Sequence, residues 1–595
     1  MNENTNKIPT YIFALGGLEE IGKNTYVIEH DDEIFMFDAG VKFANDELLG
    51  MNGTVANFSY IKENEKNFKG LIITHGHEDH IGGIVHLLLM VDVPVIYAPK
   101  LPAELIKKKI AEHKEIKIPK IIEYDDDTVI TSKYMKIDFC RVCHSVPDSF
   151  MLCVNTPNGN IVSTGDFRFD FATNGDETDL KKLMDFSRRG IDVLLCESTS
   201  SEIPGFSESE KYIINNLKTM IINAPGRVFI STFASNLGRV EEIIAISVKL
   251  GRKIAIIGKS MEENVKISRK IGYLDVDDEF MINAKDINNY KDNEILVILT
   301  GSQGEEMAAL NVMSKGEHSK VTLKPSDTII LSSNPIPGNY ENVEKLINNL
   351  YKQGVKIIEN RPECKIHASG HATRSEQQLM IKAIDPKWIF PIHGEYKMLR
   401  CLQANAVDLG FEKSRVLITI NGHKLQLLNG ELSYTDISVD AVPMYIDGKS
   451  VSSNSLDVIK ERKVLSDNGV IHITLRLNED KSALLSTPVV STRGCFFTKT
   501  SVNFLYKFSQ NLQNAINDKL KTMNEYNEKE IIDLVKENTE TNIWRSKKKN
   551  PQIFVSIFIK DKEDEQKWID TYPKVKEEVV KEINEDKENE PDSEN

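Results

Sequence analysis

No stretch of this 595-residue chain stays apolar long enough to cross a bilayer. The nearest candidate, from His86 to Tyr97, is short and is interrupted by Asp92 and Pro94. The polar start MNENTNKIPT is not followed by the apolar core of a signal peptide, so the expected location is the cytoplasm, without a membrane partner. Cysteine is scarce: seven residues, an odd number, scattered along the chain. In a reducing compartment this excludes a disulfide framework. One local pattern, Cys140-x-x-Cys143-His144, spells the attachment motif of a c-type haem. That chemistry needs export, so the segment is read instead as a strand, KIDFCRVCHSV, that delivers His144. Positive charge is also lacking: 74 Lys and Arg stand against 89 Asp and Glu, a net −15. A globally basic nucleic-acid binder is thereby excluded. Part of the excess is local, since residues 574–595 hold nine acidic and four basic side chains. Any contact with a polyanion must come from a local surface.

The length suggests three or four domains. YIFALGG, NTYVIEH and EIFMFDAG read as short strands between turn residues, and GLIITH as a buried strand running into a loop. Strand signals return at YMKIDFCRVCHSV, SFMLCVNT, GNIVSTGDF and IDVLLCEST. Strands with interspersed helices predict an αβ layered sandwich. From about residue 207 to 362 the rhythm becomes βαβ, with RVFISTF, KIAIIG, EILVILTGS and TIILSS separated by helical stretches. DGKSVSSN looks like a linker, and an αβ module follows to about Lys560. The charged remainder is read as disordered.

The chemistry concentrates in Thr74-His75-Gly76-His77-Glu78-Asp79-His80, three imidazoles and two carboxylates directly after an apolar strand. Imidazole nitrogen and carboxylate oxygen are the donors that zinc or manganese takes. A lone histidine is usually structural, but this density is hard to explain by packing. TGSQGE lacks the Gly-Lys-Ser/Thr ending of a phosphate-binding loop and is read as a turn. The run Lys249–Lys270 contains Glu262 and Glu263 and is read as a solvated helix face.

The pattern H-x-H-x-D-H resembles the metallo-β-lactamase superfamily. HSVPDS, STGDFRFD and PIHGEY supply, in order, the further ligands that the resemblance implies. His75, His77 and His144 would hold one metal, Asp79, His80 and His393 the other, with Asp166 shared. Asp166 and His393 lie 227 positions apart, so a whole domain is inserted between them, as in the β-CASP group of RNA-processing nucleases. LGGLEEIGKNTYVIE, THGHEDHIGG, TFASN, LTGSQGEEMAAL, SSNPIPGN, HASGHA and PIHGEYKML make the chain similar to the ribonuclease J family, densely from about Ile8 to Leu428 and more weakly to about Lys560. Two departures stand out: Glu197 replaces an expected Asp, and TVANFSY lacks an expected proline.

The resemblance implies a metallo-β-lactamase αββα sandwich with an inserted β-CASP α/β domain and a smaller C-terminal α+β domain. The expected boundaries are 1–206 and 363–446 for the sandwich, 207–362 for the insertion, 447–462 for a linker, 463–562 for the C-terminal domain and 563–595 for a disordered tail. The implied activity is metal-dependent hydrolysis of RNA, as a 5′-to-3′ exonuclease preferring a 5′-monophosphate and as an endonuclease, in mRNA decay and rRNA maturation. It implies two divalent metals, with zinc expected and manganese the alternative. Asp79, Glu197 and His371 are the expected catalytic residues, His371 as proton donor or phosphate contact oriented by Glu197. Ser235, His367, Ser369, Gly370 and His371 are the expected pocket for the RNA 5′-phosphate. A helix N-cap role for Ser235 and a structural Glu197–His371 pair are the alternatives. Implied partners are single-stranded RNA, a second copy in a homodimer or homotetramer, a paralogous nuclease, other RNA-decay enzymes and an RNA helicase. Two other functions compete: a small-substrate hydrolase, against which the insertion and HASGHA argue, and a catalytically weak scaffold of a decay assembly, against which the complete ligand set argues.

Overall fold

The computed structural model describes residues 8–44, 48–172, 175–336, 339–448, 450–452 and 455–559. The tail expected from residue 563 lies outside them. The chain folds into two compact units, a large one, Met1–Glu47 with Met51–Ser453, and a small one, Leu48–Gly50 with Asn454–Asn595.

In the large unit two sheets pack face to face. The first has eight strands, in the order Glu431–Ser438, His423–Leu428, Thr10–Gly16, Thr25–His30, Glu33–Phe37, Phe68–Ile72, Val95–Ala98, Lys120–Glu123. The second has six: Trp388–Ile392, Val193–Glu197, Gly159–Ser163, Phe150–Thr156, Lys136–Arg141, Val129–Thr131. Alternate residues of both sheets meet between them, among them Ile12, Phe35, Ile72, Phe139, Leu152, Val193 and Phe390. Successive strand side chains point to opposite faces. Phe13, Val27 and Leu71 therefore face the other way, onto a second core shared with the helices Ile84–Met90 and Lys100–Ala111. Val162, Leu194 and Ile389 do the same on the far side, against Leu180–Arg188, Arg374–Ile384 and Tyr396–Asp408. Helix, sheet, sheet and helix layers follow, the sandwich expected from sequence.

The inserted segment builds its own sheet of six parallel strands, in the order Met281–Ile282, Lys253–Ile257, Ile295–Leu299, Val228–Ser231, Thr328–Leu331, Lys356–Glu359. Its central strands read as continuous apolar runs because helices cover both faces. After Val228–Ser231 the chain crosses to Lys253–Ile257 on one side, and after Thr328–Leu331 to Lys356–Glu359 on the other, so the connections diverge at the carboxyl ends of these two adjacent strands, the usual ligand position in such sheets.

In the small unit Val470–Leu477 is the central strand, antiparallel to Val489–Arg493 and parallel to Gln552–Ile559. Ile471, Ile473 and Leu475 pack with the helices Val502–Thr522 and Glu528–Lys547. The boundary between the units falls within the stretch 447–462, read from sequence as a linker, whose described residues include the strand Ser450–Ser452 and the first turns of the helix Ser455–Asn468. The serines and glycine at its start masked an apolar pattern in which Ile459 is buried.

Candidate metal centre

Four strands of the six-stranded sheet run in one direction: Lys136–Arg141, Gly159–Ser163, Val193–Glu197 and Trp388–Ile392. Their carboxyl ends share one edge. His144 follows the first, Asp166 the second, Glu197 ends the third and His393 follows the fourth. From the opposite sheet Phe68–Ile72 runs through Ile73 and Thr74 to His75 and His77, and Asp79 and His80 sit on the turn of helix Glu78–Ile81.

All seven expected ligands converge. His75, His77, His144 and Asp166 form one group whose ligand atoms lie within 4.8 Å of one another, and Asp79, His80, Asp166 and His393 form a second. His77 Nδ1 is 3.2 Å from His75 Nε2 and 3.1 Å from His144 Nε2. Asp166 Oδ2 is 3.5 Å from His75 Nε2 and 3.2 Å from His80 Nε2. His393 Nε2 is 3.3 Å from Asp79 Oδ2. Two of these buried atoms, Asp166 Oδ2 and His393 Nε2, have no hydrogen-bond partner. Buried polar atoms are rarely left so, and here both aim at the point where the other donors meet. Nitrogen and carboxylate donors in this number suit two divalent ions.

Charge arrangement agrees with that fit. Burial lowers the pKa of His75, His77 and His144, that of His77 to about 4, so the imidazoles are held in the neutral form a metal requires. His80 and His393 behave oppositely. Burial opposes their protonation, but Asp166 and Asp79 outweigh it and raise both, His393 to about 10. Protons on these two imidazoles answer the charge of Asp166 and Asp79, and a cation bound there would displace them.

A surrounding layer aims the ligands. Asp38, beyond the end of strand Glu33–Phe37, holds His80 Nδ1 at 2.7 Å and accepts from Thr74 N and Oγ1. Thr74 Oγ1 lies 2.9 Å from His75 Nδ1. His144 Nδ1 donates to Gly370 O at 2.7 Å. Outer partners of this kind leave the other ring nitrogen to face the metal. Asn24 Nδ2 donates to Asp79 Oδ2, while Tyr26 hydroxyl donates to Asn24 Oδ1 at 2.7 Å and fixes which way the amide points. Sequence reasoning missed Asp38, Asn24 and Tyr26. The one available signal was a carboxylate just past an apolar strand, in EIFMFDAG.

The third group of possible donors is Asp166, Glu197, His371 and His393. His371 Nδ1 lies 3.0 Å from Glu197 Oε2 and 3.6 Å from Asp166 Oδ2. Burial opposes protonation of His371, but Glu197 and then Asp166 prevail and raise its pKa. Glu197 Oε1 also accepts from Phe167 N and Ala372 N, so this carboxylate spans three segments.

The expected phosphate-pocket residues divide. Ser369 Oγ accepts from His371 N, and Gly370 lies against His144, so these two adjoin the centre. His367 packs edge-on against Phe233, two residues before Ser235 in the loop after Val228–Ser231. Ser235 is not the N-cap of helix Leu237–Lys249: Asn236 takes that position, its side chain accepting from Arg239 N.

Comparison with known proteins covers most of the chain. A family model described as the metallo-β-lactamase superfamily matches residues 19–179, and one for the ribonuclease J β-CASP domain matches residues 225–350. Residues 363–416 match a Zn-dependent metallo-hydrolase RNA specificity domain, and 457–559 a ribonuclease J C-terminal domain. Ribonuclease J of Mycoplasma pneumoniae is 48% identical over 93% of this chain and 98% of its own length. Ribonuclease J of Mycoplasma genitalium is 46% identical over 92% and 97%. Ribonuclease J2 of Bacillus subtilis is 33% identical over 86% and 92%. The chain belongs to the ribonuclease J family.

Proposed function

We propose that this chain is a two-metal ribonuclease that hydrolyses phosphodiester bonds of single-stranded RNA in the cytoplasm. It would act as a 5′-to-3′ exonuclease preferring 5′-monophosphate ends and as an endonuclease, in mRNA decay and rRNA maturation. The observation that carries the reading is the convergence of seven donor residues, two of whose buried atoms, Asp166 Oδ2 and His393 Nε2, make no hydrogen bond. His75, His77 and His144 would hold one ion, Asp79, His80 and His393 the other, and Asp166 both. Two such ions lower the pKa of water toward neutrality and neutralise charge on a phosphate. Zinc is the ion we propose, with manganese acceptable to the same donors.

The chain's own residues do the rest. Asp38, Thr74 and Gly370 aim the imidazoles. Glu197 holds the His371 ring by Nδ1, which leaves Nε2 to give a proton to the leaving oxygen or to contact the phosphate. Ser235, His367, Ser369 and Gly370 offer the hydroxyls and N–H groups that receive a terminal phosphate. Homo-oligomers, a paralogous nuclease, other decay enzymes and an RNA helicase are the proposed protein partners. No helix among the described residues is long and apolar enough to cross a membrane.

The test is degradation of internally labelled RNA bearing 5′-monophosphate, 5′-triphosphate or 5′-hydroxyl, by metal-loaded protein and by Asp79→Ala/His80→Ala protein. Mononucleotides released preferentially from the monophosphate, and absent with the variant, support the reading. Metal-loaded wild type that leaves all three RNAs intact would refute it and favour a scaffold.

A further inference from the structure

Arg239 lies in the first turn of helix Leu237–Lys249 and is fully buried. Its guanidinium forks onto Glu210, Nε donating to Oε1 at 2.6 Å and Nη2 to Oε2 at 2.9 Å. Nη1 then has two hydrogens to place. It lies 3.1 Å from Ser332 O, 3.3 Å from Ser332 Oγ and 2.9 Å from His367 Nδ1. A guanidinium only donates and does not lose its proton. Nδ1 of His367 must therefore accept, and the hydrogen of the neutral ring sits on Nε2. The backbone around the ring is pinned as well, since Ile366 N and His367 N both donate to Asn360 Oδ1.

We infer that Arg239 is a positioning residue that holds His367 as a neutral imidazole with its proton on Nε2, so that the ring offers a 5′-phosphate a hydrogen-bond donor that does not vary with pH. The inference rests on the reading of His367 as a phosphate contact. The groups facing the ring come from five segments. Burial and Arg239 push its pKa down, Glu210 and the Ser332 carbonyl pull it up, Arg168 adds to the lowering, and the Phe233 ring is uncharged; the outcome is about 3. This matters for selectivity. A cationic ring would be attracted more strongly to a triphosphate than to a monophosphate, whereas a neutral N–H reads position more than charge.

The experiment measures exchange of the His367 Cε1 hydrogen by mass spectrometry on the metal-loaded full chain, from about pH 5 to 8.5, a range spanning the ordinary histidine midpoint. A rate without a midpoint in that range is expected; a midpoint above about pH 5.5 overturns the inference. In Arg239→Gln the midpoint should rise into the range. The ratio of kcat/KM for 5′-monophosphate over 5′-hydroxyl RNA should fall about tenfold at pH 8, one hydrogen bond's worth, and partly recover toward pH 5.5. The ratio cancels losses common to both ends, and referring it to wild type at each pH cancels titration of the phosphate itself. A ratio that falls equally at every pH overturns the positioning role. Should Arg239→Gln fail to fold, the wild-type exchange profile decides alone. His367→Ala separates the two readings: an unchanged end preference refutes the phosphate contact, whatever the exchange profile shows.

Discussion

Gly370 has space for a hydrogen and nothing larger: a Cβ there would stand 2.6 Å from Ser145 Oγ and 2.8 Å from His144 Cε1. Its carbonyl is also what orients that imidazole. Gly370→Ala must therefore displace His144, a proposed ligand, and we expect metal affinity to fall about 10–100-fold, the usual cost of a lost outer partner, as read by competition with a chromogenic chelator. Retained affinity would mean that the loop yields instead. His30, far from the centre, makes a different point. It is fully buried with Nδ1 3.0 Å from Thr10 Oγ1, and burial lowers its pKa despite Asp31 and Glu33. A folded pKa below the unfolded one means stability present above about pH 6.5 and lost as pH falls below it. His30→Gln should flatten part of that acid slope in thermal melts of metal-saturated protein; parallel slopes would show that His30 does not titrate on unfolding. At this scale the sequence picked out the seven residues that the structure brings together, because strand-end motifs place them. Asp38, Asn24 and Arg239 escaped it, because each acts across segments far apart in the chain; Asn24 and Asp38 stand in LGGLEEIGKNTYVIE and EIFMFDAG, but nothing local says which distant ligand they touch.

Single elements are tied together by buried charge. Arg227 and Asp327 precede two adjacent strands of the inserted sheet, Val228–Ser231 and Thr328–Leu331, and form a fully buried fork at 2.8 and 2.6 Å. Removing one partner strands the other, at a cost of about 3–5 kcal/mol. Asp327→Ala should therefore lower the midpoint of urea unfolding, with Arg227→Met/Asp327→Leu recovering much of the loss; equal loss in both would point to packing rather than charge. Glu376 plays a related part on helix Arg374–Ile384. It accepts from Phe169 N, Ser207 N and Oγ, and Thr373 N and Oγ1. One carboxylate thus fastens the loop after Asp166, the start of the insertion and the segment that returns from it. Glu376→Ala should expose residues 203–208 to limited proteolysis, and an unchanged cleavage pattern would rule out the fastening. The βαβ rhythm announced the inserted sheet in sequence, since periodicity is local. The stretch 447–462, read as a linker, does contain the boundary between the two units; what its turn-forming residues concealed is the helix that begins within it.

Across the molecule, a net charge of −15 coexists with a centre that gathers carboxylates and imidazoles able to hold cations. Ions that bind only the folded chain stabilise it by mass action, about 4 kcal/mol at a thousand times Kd. Chelation should lower the melting temperature by several degrees and added zinc or manganese should restore it, whereas His393→Ala protein should lose most of this response. A chelator-insensitive wild-type melt would count against ions being part of the folded centre. The layered architecture was legible from strand and helix periodicity; which sheet edges face each other was not, because that depends on pairings between strands separated by the whole insertion.

The spacing of the ligands along the chain also sets a clock. Asp166 meets His393 across 227 positions, and a ribosome adding about 5–20 residues per second takes roughly 10–45 s to make that stretch. Throughout that interval the nascent chain carries the THGHEDH loop, His144 and Asp166 without the residue that closes the second group. A chain stopped before the strand Trp388–Ile392 therefore carries the first group of donors without the second, and we expect it to hold fewer ions than the finished protein.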